Sequence, residues 1–360
     1  YDANNNGAED IDLDLDQDGI NESSSETAYT TGTSAVALGA GVAAKGNYSV
    51  AIGVDNSAEG QNSMAIGSHN VAGVGALAYG VSNSVEPNSS AFGFGNAVFG
   101  SSNYAFGGGN HVEGLGNNVF GLNSNVEGTN ANAFGIINEV QGDRANGYGY
   151  NNKAYGADSS AFGNGNFAGG VSSGAFGYGN NAGAPRSSAI GYRNTTWSVD
   201  STAFGYGGTA FGVGSLSVSS WFDLNGNGVM DFDLDAAGNP GCPTVDCVAS
   251  TEGAVAGGAW SVAVGGAVWA RGEKSVAMGQ ANTALGASST ALGSHGTATG
   301  RGSLALSTFF VAEGTPTPDV DTDGDGANDA YSRGAIAVGE SAVAVGAGVH
   351  HVLPAELLDV

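Results

Sequence analysis

Glycine recurs every seventh residue along most of this chain, and small and large side chains keep fixed distances from it. The period runs without a gap over 93–177, and shorter blocks cover 39–67, 265–300 and 339–346. The residue two places before each glycine is usually alanine or valine. The residue one place before is apolar at every other glycine and mostly polar at the glycines between, so the true repeat is about fourteen residues.

This pattern predicts two short β-strands per turn of a parallel β-roll, an all-β solenoid. Neighbouring residues in a strand point to opposite faces. The Ala and Val positions therefore lie between two closely spaced sheets, and the position beside glycine faces outward. A coiled coil also has a period of seven, but thirteen helical glycines would cost about 13 kcal/mol. Collagen needs glycine at every third residue, so neither alternative fits.

On one sheet the outward position forms an apolar stripe, one side chain per turn. Stacked turns are about 4.8 Å apart, so twelve turns make a stripe about 58 Å long. Burying these side chains would contribute about 20–40 kcal/mol, against an association cost of about 4–15 kcal/mol. We therefore predict an obligate homo-oligomer with these interface residues: Leu38, Ile52, Ile66, Tyr79, Phe92, Phe106, Phe120, Phe134, Tyr148, Phe162, Phe176, Ile190 and Phe204.

Asparagine marks the predicted turns, mostly at intervals of fourteen. Asparagine tolerates left-handed backbone, and stacked amides can hydrogen-bond from turn to turn. We interpret this column as structural rather than as a binding site. Its members are Asn56, Asn70, Asn83, Asn96, Asn110, Ser124, Asn138, Asn152, Asn166, Asn180 and Asn194.

Five short motifs resemble the head repeats of YadA-like trimeric autotransporter adhesins. They are YSVAIG at Tyr48, SMAIG at Ser63, SSAIG at Ser187, WSVAVG at Trp260 and KSVAMG at Lys274. The resemblance implies a left-handed β-roll of three subunits that associate through one sheet, displayed at a cell surface. Head repeats of this family also bind collagen through SVAIG-type motifs, which Ser49 to Gly53 match. The roll itself also needs those residues.

Three acidic segments share the pattern D-x-[DN]-x-[DN]-G-x-x-[DE]. Side-chain oxygens at loop positions 1, 3, 5 and 9, with a carbonyl at position 7, suit Ca²⁺. The segments resemble the calcium loops of dockerins or thrombospondin type 3 repeats. We predict calcium as the cofactor, held by Asp14, Asp16, Asp18, Ile20 and Glu22; by Asp223, Asn225, Asn227, Val229 and Asp231; and by Asp321, Asp323, Asp325, Ala327 and Asp329.

The period and its interruptions divide the chain into six segments. An acidic N-terminal segment with a calcium loop (1–33) precedes roll repeats (34–212), and further roll repeats cover 260–307. Insertions with calcium loops occupy 213–259 and 308–334, and 335–360 holds the last roll turn and a tail. Cys242 and Cys247 would close a small loop by a disulfide in the first insertion if the compartment is oxidising; in the cytosol they would be free thiols.

Composition narrows the function further. The formal net charge of −25 argues against nucleic-acid binding. No apolar run is long enough to cross a membrane as a helix, so we expect no membrane contact within this segment. The five histidines are scattered, lack partners at triad or zinc spacing, and accompany no nucleotide or hydrolase motif. We therefore expect no enzymatic activity.

Three hypotheses remain for an extracellular protein of this kind. The first is an adhesin-like head that contacts another cell or the extracellular matrix. The second is a secreted subunit that assembles end to end into a calcium-stabilised filament, since a solenoid has open strand edges. No stalk or anchor motif follows the last roll turn in this sequence, so either it is an excised head or the protein is not anchored; the second case would favour a filament. The third is a segment of a phage-like trimeric fibre.

Overall fold

A computed structural model of the protein describes residues 28–219, 253–307, 335–346 and 350–352. It divides into two compact units, an N-terminal unit of residues 1–165 and a C-terminal unit of residues 166–360. In both units the described residues form a parallel β-solenoid with no helix. The predicted all-β solenoid is therefore confirmed for these residues.

In the N-terminal unit, each turn contributes one strand to each of two sheets, which we call sheet 1 and sheet 2. Sheet 1 has uniform strands of five residues, and most strands of sheet 2 have two. The strands of sheet 1 are Val36–Ala40, Val50–Val54, Met64–Ser68, Leu77–Val81, Ser90–Phe94, Tyr104–Gly108, Asn118–Leu122, Asn132–Ile136, Asn146–Tyr150 and Ser160–Asn164. The strands of sheet 2 are Tyr29–Thr30, Ala43–Ala44, Ser57–Ala58, Val71–Ala72, Ser84–Val85, Ala97–Ser101, His111–Leu115, Asn125–Thr129, Glu139–Val140 and Lys153–Ala154.

The C-terminal unit repeats this arrangement. Its sheet 1 contains Gly174–Tyr178, Ser188–Tyr192, Thr202–Tyr206, Leu216–Ser219, Val262–Gly266, Val276–Gln280, Thr290–Ser294, Leu304–Ser307 and Val343–Val345. Its sheet 2 contains Phe167–Ala168, Asn181–Ala182, Thr195–Thr196, Thr209–Ala210, Val255–Ala256, Trp269–Ala270, Thr283–Ala284, Thr297–Ala298, Ile336–Val338 and His350–Val352.

Register follows the repeat in the sequence. Within each unit, paired strands run parallel and join residues fourteen apart, as Ala51 with Ala65. The offset falls to thirteen where Ala65 pairs with Ala78 and Ala78 with Ala91. These two shorter turns account for the two thirteen-residue steps between glycines. The predicted pitch of two strands per turn is confirmed.

The interior between the sheets is filled by the small residues two places before each glycine. Ala51, Ala65, Val112 and Ala133 are completely buried, as are their counterparts in the C-terminal unit, such as Ala277. Small side chains let two sheets approach closely, and burial of each methyl or isopropyl group stabilises the roll. The predicted narrow interior is confirmed.

Glycine is required for two different reasons at alternate positions. In sheet 1 the glycine has a positive φ, 119° at Gly53, and a Cβ there would overlap the carbonyl oxygen of Gly67. Where a sheet 2 strand has only two residues, the glycine that follows it lacks a positive φ. Gly46 is an example, and a Cβ there would overlap the carbonyl of Gly60. Close backbone stacking excludes side chains in both cases, and the left-handed conformation adds a second restriction in sheet 1.

The asparagine column forms an amide ladder in each unit, interrupted by Ser124 in the N-terminal unit and by Gly208 in the C-terminal unit. Asn70 donates through its backbone N–H and through Nδ2 to Asn56 Oδ1, at 3.0 and 2.9 Å. Asn56 Nδ2 in turn donates to the carbonyl oxygens of Ile52 and Gly67. The predicted turn-to-turn hydrogen bonding is confirmed. The asparagines themselves do not use left-handed backbone; the residue before each one does, as Asp55 with φ 50° shows.

Each turn has two corners: the first carries the asparagine column and follows the sheet 1 strand, and the second follows the sheet 2 strand. The second corner has two forms, and the residue buried there correlates with the form. Ser63 donates to the carbonyl of Gly60 three residues earlier, and the adjoining sheet 2 strand has two residues. Asn103 instead donates to Phe99 and Gly114 carbonyls, and the adjoining strand has five residues. Over residues 97–129 the second corner has the same form as at Asn103, and the strands of sheet 2 are five residues long. This part of sheet 2 is therefore wider than the rest.

In the C-terminal unit the described strands are interrupted twice, each time after a strand of sheet 1. Segment 220–252 follows a sheet 1 strand that ends at Ser219, and segment 308–334 follows one that ends at Ser307. Pairing continues across each interruption: Thr209 pairs with Val255, and Thr297 with Ile336. The three predicted calcium loops and the cysteines Cys242 and Cys247 lie outside the described residues.

Candidate interaction surface

The predicted stripe forms a stack of rings along the outer face of sheet 1 in the N-terminal unit. Phe92, Phe106, Phe120, Phe134, Tyr148 and Phe162 stack in succession, with neighbouring ring centroids 4.5–4.9 Å apart and planes within 10°. Leu38, Ile52, Ile66 and Tyr79 continue the column, in register, on the preceding turns. Ring spacing equals the turn spacing of a β-solenoid, so the backbone repeat itself aligns the rings.

The C-terminal unit has a column at the same position of its own repeat, and this column is longer than the sequence analysis indicated. Phe176, Ile190 and Phe204 are in register, as predicted, and aliphatic residues follow them. These are Val218, Val264, Met278, Leu292, Leu306 and Val345, each paired with its predecessor. The stripe therefore includes positions whose side chains lack an aromatic ring.

A second column of rings was missed. Tyr178, Tyr192 and Tyr206 follow the glycine of their strands and stack with centroids 5.0 and 4.6 Å apart. Arg193 lies over the ring of Tyr192, at 5.3 Å from its centroid. In the N-terminal unit the equivalent positions hold exposed apolar residues, among them Val54 and Phe94. The fourteen-residue spacing of the tyrosines was a sequence signal that could have revealed this column.

The stripe faces solvent in the single chain. Leu38 is 63% exposed, Phe120 41% and Phe204 51%. The ten strands of sheet 1 in the N-terminal unit, at about 4.8 Å per strand and about 3.3 Å per residue, make a face of about 48 by 17 Å. That is about 800 Å², the area that each partner buries in a protein interface of standard size.

In the N-terminal unit, charged side chains occupy several outward positions of sheet 2 in place of this apolar column. Lys45 Nζ lies 3.1 Å from Glu59 Oε1 on the next turn, and Lys153 Nζ lies 2.9 Å from Glu139 Oε2. The hydrogen bond with Lys45 lowers the pKa of Glu59 and raises the pKa of Lys45. Such exposed pairs contribute little stability, so this face is suited to solvent.

Arginine and aspartate make similar pairs at the second corner. Arg144 reaches Asp158 through two nitrogens, at 2.6 and 2.7 Å, and Arg186 reaches Asp200 in the same way. The hydrogen bond from Arg144 lowers the pKa of Asp158. Each pair joins consecutive turns within one unit.

The structure also corrects the expectation that the histidines lack partners. His69 Nε2 lies 3.3 Å from Asp55 Oδ2 on the preceding turn, and Ser68 Oγ lies 2.6 Å from His69 Nδ1. The His69 and Asp55 side chains are 60% and 48% exposed, whereas the aspartate of a hydrolase triad is buried. His295 repeats the contact with its neighbouring serine, Ser294, at 2.8 Å, and burial lowers the His295 pKa. Both contacts fit surface corners better than catalytic centres.

Most of the negative charge lies in residues outside the described ranges. The described residues carry 11 acidic and 8 basic side chains, a formal net charge of −3, whereas the whole chain has −25. The remaining −22 belongs to the segments that contain the predicted calcium loops and to the last residues. Within the described residues, no three His, Cys, Asp or Glu side chains are arranged to hold a metal ion.

Comparison with known proteins agrees with the resemblance at two places. Residues 44–70 and 270–295 match the family model of the YadA head domain repeat. No curated protein sequence matches the chain. Across the part of the chain that the structure describes, no helix is long and apolar enough to cross a membrane.

Proposed function

We propose that this protein is an adhesin-like surface protein whose solenoid forms a homotrimer through the apolar face of sheet 1. The apolar stripe on this face carries the proposal, because soluble monomers rarely expose a large contiguous apolar patch. The two YadA head domain repeats support both the trimeric state and display at a cell surface. In the proposed oligomer the charged face of sheet 2 and the acidic insertions remain outside, where a neighbouring cell or the matrix would meet them.

Substitution of the central rings tests the interface. Phe134→Asp combined with Phe162→Asp places two carboxylates on the stripe, so we expect monomers or insoluble chains in place of the trimer. Phe99→Asp is the matched control, because Phe99 occupies the equivalent outward position on sheet 2. Sedimentation velocity gives the mass of each species. An unchanged oligomer in the double variant, or loss of the oligomer in the control, would exclude sheet 1 as the interface.

We also propose that calcium binds the three acidic loops. The concentration of charge outside a nearly neutral solenoid supports this, since clustered carboxylates repel one another unless a cation lies between them. Because the loops flank or interrupt the solenoid, bound calcium would order the segments around it without altering the packed interior.

Calorimetric titration with calcium tests the loops individually. Asp14→Ala, Asp223→Ala and Asp321→Ala should each remove one site of the wild-type stoichiometry. Asp246→Ala is the control, because Asp246 lies outside the three motifs. If the wild type shows neither heat nor thermal stabilisation at millimolar calcium, the proposal is wrong.

A filament subunit is the second candidate function. The strands Tyr29–Thr30 and Val36–Ala40 are each paired on one side only among the described residues. An open parallel edge can accept a strand from another copy. Electron microscopy in calcium separates the two candidates: discrete rods indicate an adhesin-like head, and filaments longer than one chain indicate end-to-end assembly.

A further inference from the structure

We propose that an aromatic surface on the C-terminal unit binds a short saccharide chain. We call it the tryptophan surface, and it consists of Trp197, Phe211, Trp260, Trp269 and the guanidinium of Arg271. The chain contains four tryptophans, and three of them lie here. This inference rests on the proposed adhesin-like function and names the chemistry of the partner that such a function requires.

Four consecutive turns of the C-terminal unit carry the tryptophan surface. Trp197 lies on the first turn, Phe211 on the second, Trp260 on the third and Trp269 on the fourth. At about 4.8 Å per turn, the series spans about 14 Å. All four side chains lie on sheet 2 or on the second corner that follows it. The proposed oligomer through sheet 1 therefore leaves them accessible.

Glycines give the aromatic groups room on this surface. The six-membered ring of Trp260 lies against Gly214 of the preceding turn, in the space that a Cβ would fill. Gly257 takes the position of Phe211 on the next turn, and the side chain of Arg271 comes within 3.6 Å of where its Cβ would be. Bare backbone therefore separates the aromatic groups, which leaves them open to a ligand.

Trp260 has a backbone conformation that a bulky residue rarely adopts. Its φ is 58°, in the left-handed region, and the residue is 58% exposed. On the other described turns this position holds Asn, Ser, Gly, Asp, Arg or Lys, apart from Tyr48. Asparagine fits left-handed backbone better, so the solenoid does not require tryptophan here. Residues in rare conformations cluster at ligand sites, which indicates a role in binding.

Polar groups flank the rings at both ends of the surface. At one end, Arg271 Cζ lies 4.3 Å from the centroid of the Trp269 ring, and no carboxylate of the described residues forms an ion pair with Arg271. At the other end, Asp200 accepts two hydrogen bonds from Arg186 and has further lone pairs. Neighbouring hydroxyls of a sugar both donate and accept, so they match a planar guanidinium and a carboxylate.

The size of the tryptophan surface favours a small ligand over a protein partner. It is about 14 Å long and three residues, or about 10 Å, wide. The resulting area of about 140 Å² is far below the roughly 800 Å² that each partner buries in a standard protein interface. A second copy of the chain therefore needs more surface than this one offers.

The chemistry of the surface favours a saccharide over a proline-rich peptide, the other ligand that aromatic surfaces commonly bind. Prolines have no N–H, so such a peptide would give the Asp200 carboxylate few donors. A sugar ring presents C–H groups to the negative face of an aromatic ring. Its hydroxyls also serve both Asp200 and Arg271.

Calorimetric titration of the full chain with hexasaccharides tests this inference. The probes are hexamers of β-linked glucose, α-linked glucose, N-acetylglucosamine and galacturonic acid, and we expect at least one to bind. Trp260→Asn should weaken that binding by about tenfold or more, because one stacking contact is lost. Trp197→Thr combined with Phe211→Thr should have a similar effect. Threonine suits their column, since Thr299 occupies it two turns after Gly257 is passed.

Tyr48→Asn is the matched control. Tyr48 occupies the same left-handed position on the N-terminal unit, with φ 58° and 58% exposure, as at Trp260. Its substitution removes an equally exposed ring at an equivalent corner, so binding should be unchanged. Circular dichroism confirms that the variants remain folded.

The outcomes separate this inference from the proposed trimer. If none of the hexasaccharides binds, or if Trp260→Asn binds as tightly as the wild type, the inference is wrong. Binding of decaproline without binding of any saccharide would assign the surface to a proline-rich protein segment instead. Sedimentation velocity on the same samples reports the oligomer: a monomer that binds saccharide through Trp260 would exclude the trimer and leave this site standing.

Discussion

The two outer faces of the solenoid enclose the same interior yet present different side chains. Sheet 1 presents stacked rings beside glycines with positive φ, and sheet 2 presents ion pairs, such as Lys45 with Glu59, on shorter strands. In both, the buried residue two places before glycine is alanine or valine. The backbone repeat therefore fixes the interior and leaves the outward positions unconstrained. Function is expected to follow from those outward positions.

A glycine-to-alanine change in the C-terminal unit should have the largest effect, because it breaks the scaffold that both faces share. Gly205 has φ 105°, and a Cβ would overlap the carbonyl oxygen of Ser219. Gly205→Ala should destabilise the unit by about 3–5 kcal/mol. Gly207 has φ 64° with nothing within 4 Å of a Cβ, so Gly207→Ala should cost only about 1–2 kcal/mol.

Chemical denaturation monitored by circular dichroism compares these two variants. Gly207 lies in the left-handed α region and Gly205 lies beyond it, so their difference combines backbone strain with the steric overlap between turns. Equal losses of stability would show that neither effect makes glycine essential in sheet 1.

Substitution of one asparagine in the amide ladder should have an intermediate effect, because the ladder joins the corners of consecutive turns, between the two faces. Asn138 Oδ1 accepts from the backbone N–H and from Nδ2 of Asn152, and Asn138 Nδ2 donates to Phe134 and Gly149 carbonyls. Asn138→Ala leaves these buried groups without that partner and should cost about 2–3 kcal/mol. Asn138→Ser should cost less, since Ser124 fills the same column one turn earlier. Unfolding free energies in urea measure both, and equal costs would mean that hydrogen bonding is not the function of this column.

The ion pairs of sheet 2 should have the smallest effect. Glu59→Gln should lower stability at neutral pH by about 0.2–1 kcal/mol, as for other exposed pairs. Because folding lowers the pKa of Glu59 from 4.5, the stabilising contribution is present above pH 4.5 and is lost as the pH falls through the lower folded value. The difference between the variant and the wild type should therefore vanish in acid.

Thermal unfolding of both proteins between pH 3 and pH 7 measures this difference. The oligomeric state provides a second readout, since the ion pair lies on sheet 2 and should not affect association through sheet 1. A change of oligomeric state in Glu59→Gln would contradict the division of roles between the faces.

Much of the fold was predictable because the repeat makes spatial neighbours out of residues fourteen apart. The buried alanines, the stripe and the Asn56–Asn70 contact all followed from that offset. The contact of Asp55 with His69 obeys the same offset and was missed, as was the column that contains Tyr192. These positions were overlooked because each occurs on only a few turns and so leaves no long periodic trace.

Other features could not be predicted from period alone. Glu86 Oε2 accepts the backbone N–H of Gly100 at 2.7 Å, and Asp143 Oδ1 accepts that of Thr129 at 2.9 Å. These carboxylates serve backbone donors at the two ends of the wider part of sheet 2, where corners of different form meet. Such contacts depend on which side chain lies opposite an unpaired backbone group. The spacing of residues in the sequence does not give that information.

The sequence by itself determined the period, the small interior and the outward stripe, because each follows from alternation within a strand and from repetition between strands. Only the tertiary structure decided why glycine is needed at each position, which residue of each corner is left-handed, and which charges meet. Those outcomes depend on distances between neighbouring turns. Atoms of two turns come into contact only when the backbone is stacked, so close approach and pairing are properties of the folded solenoid rather than of any one repeat.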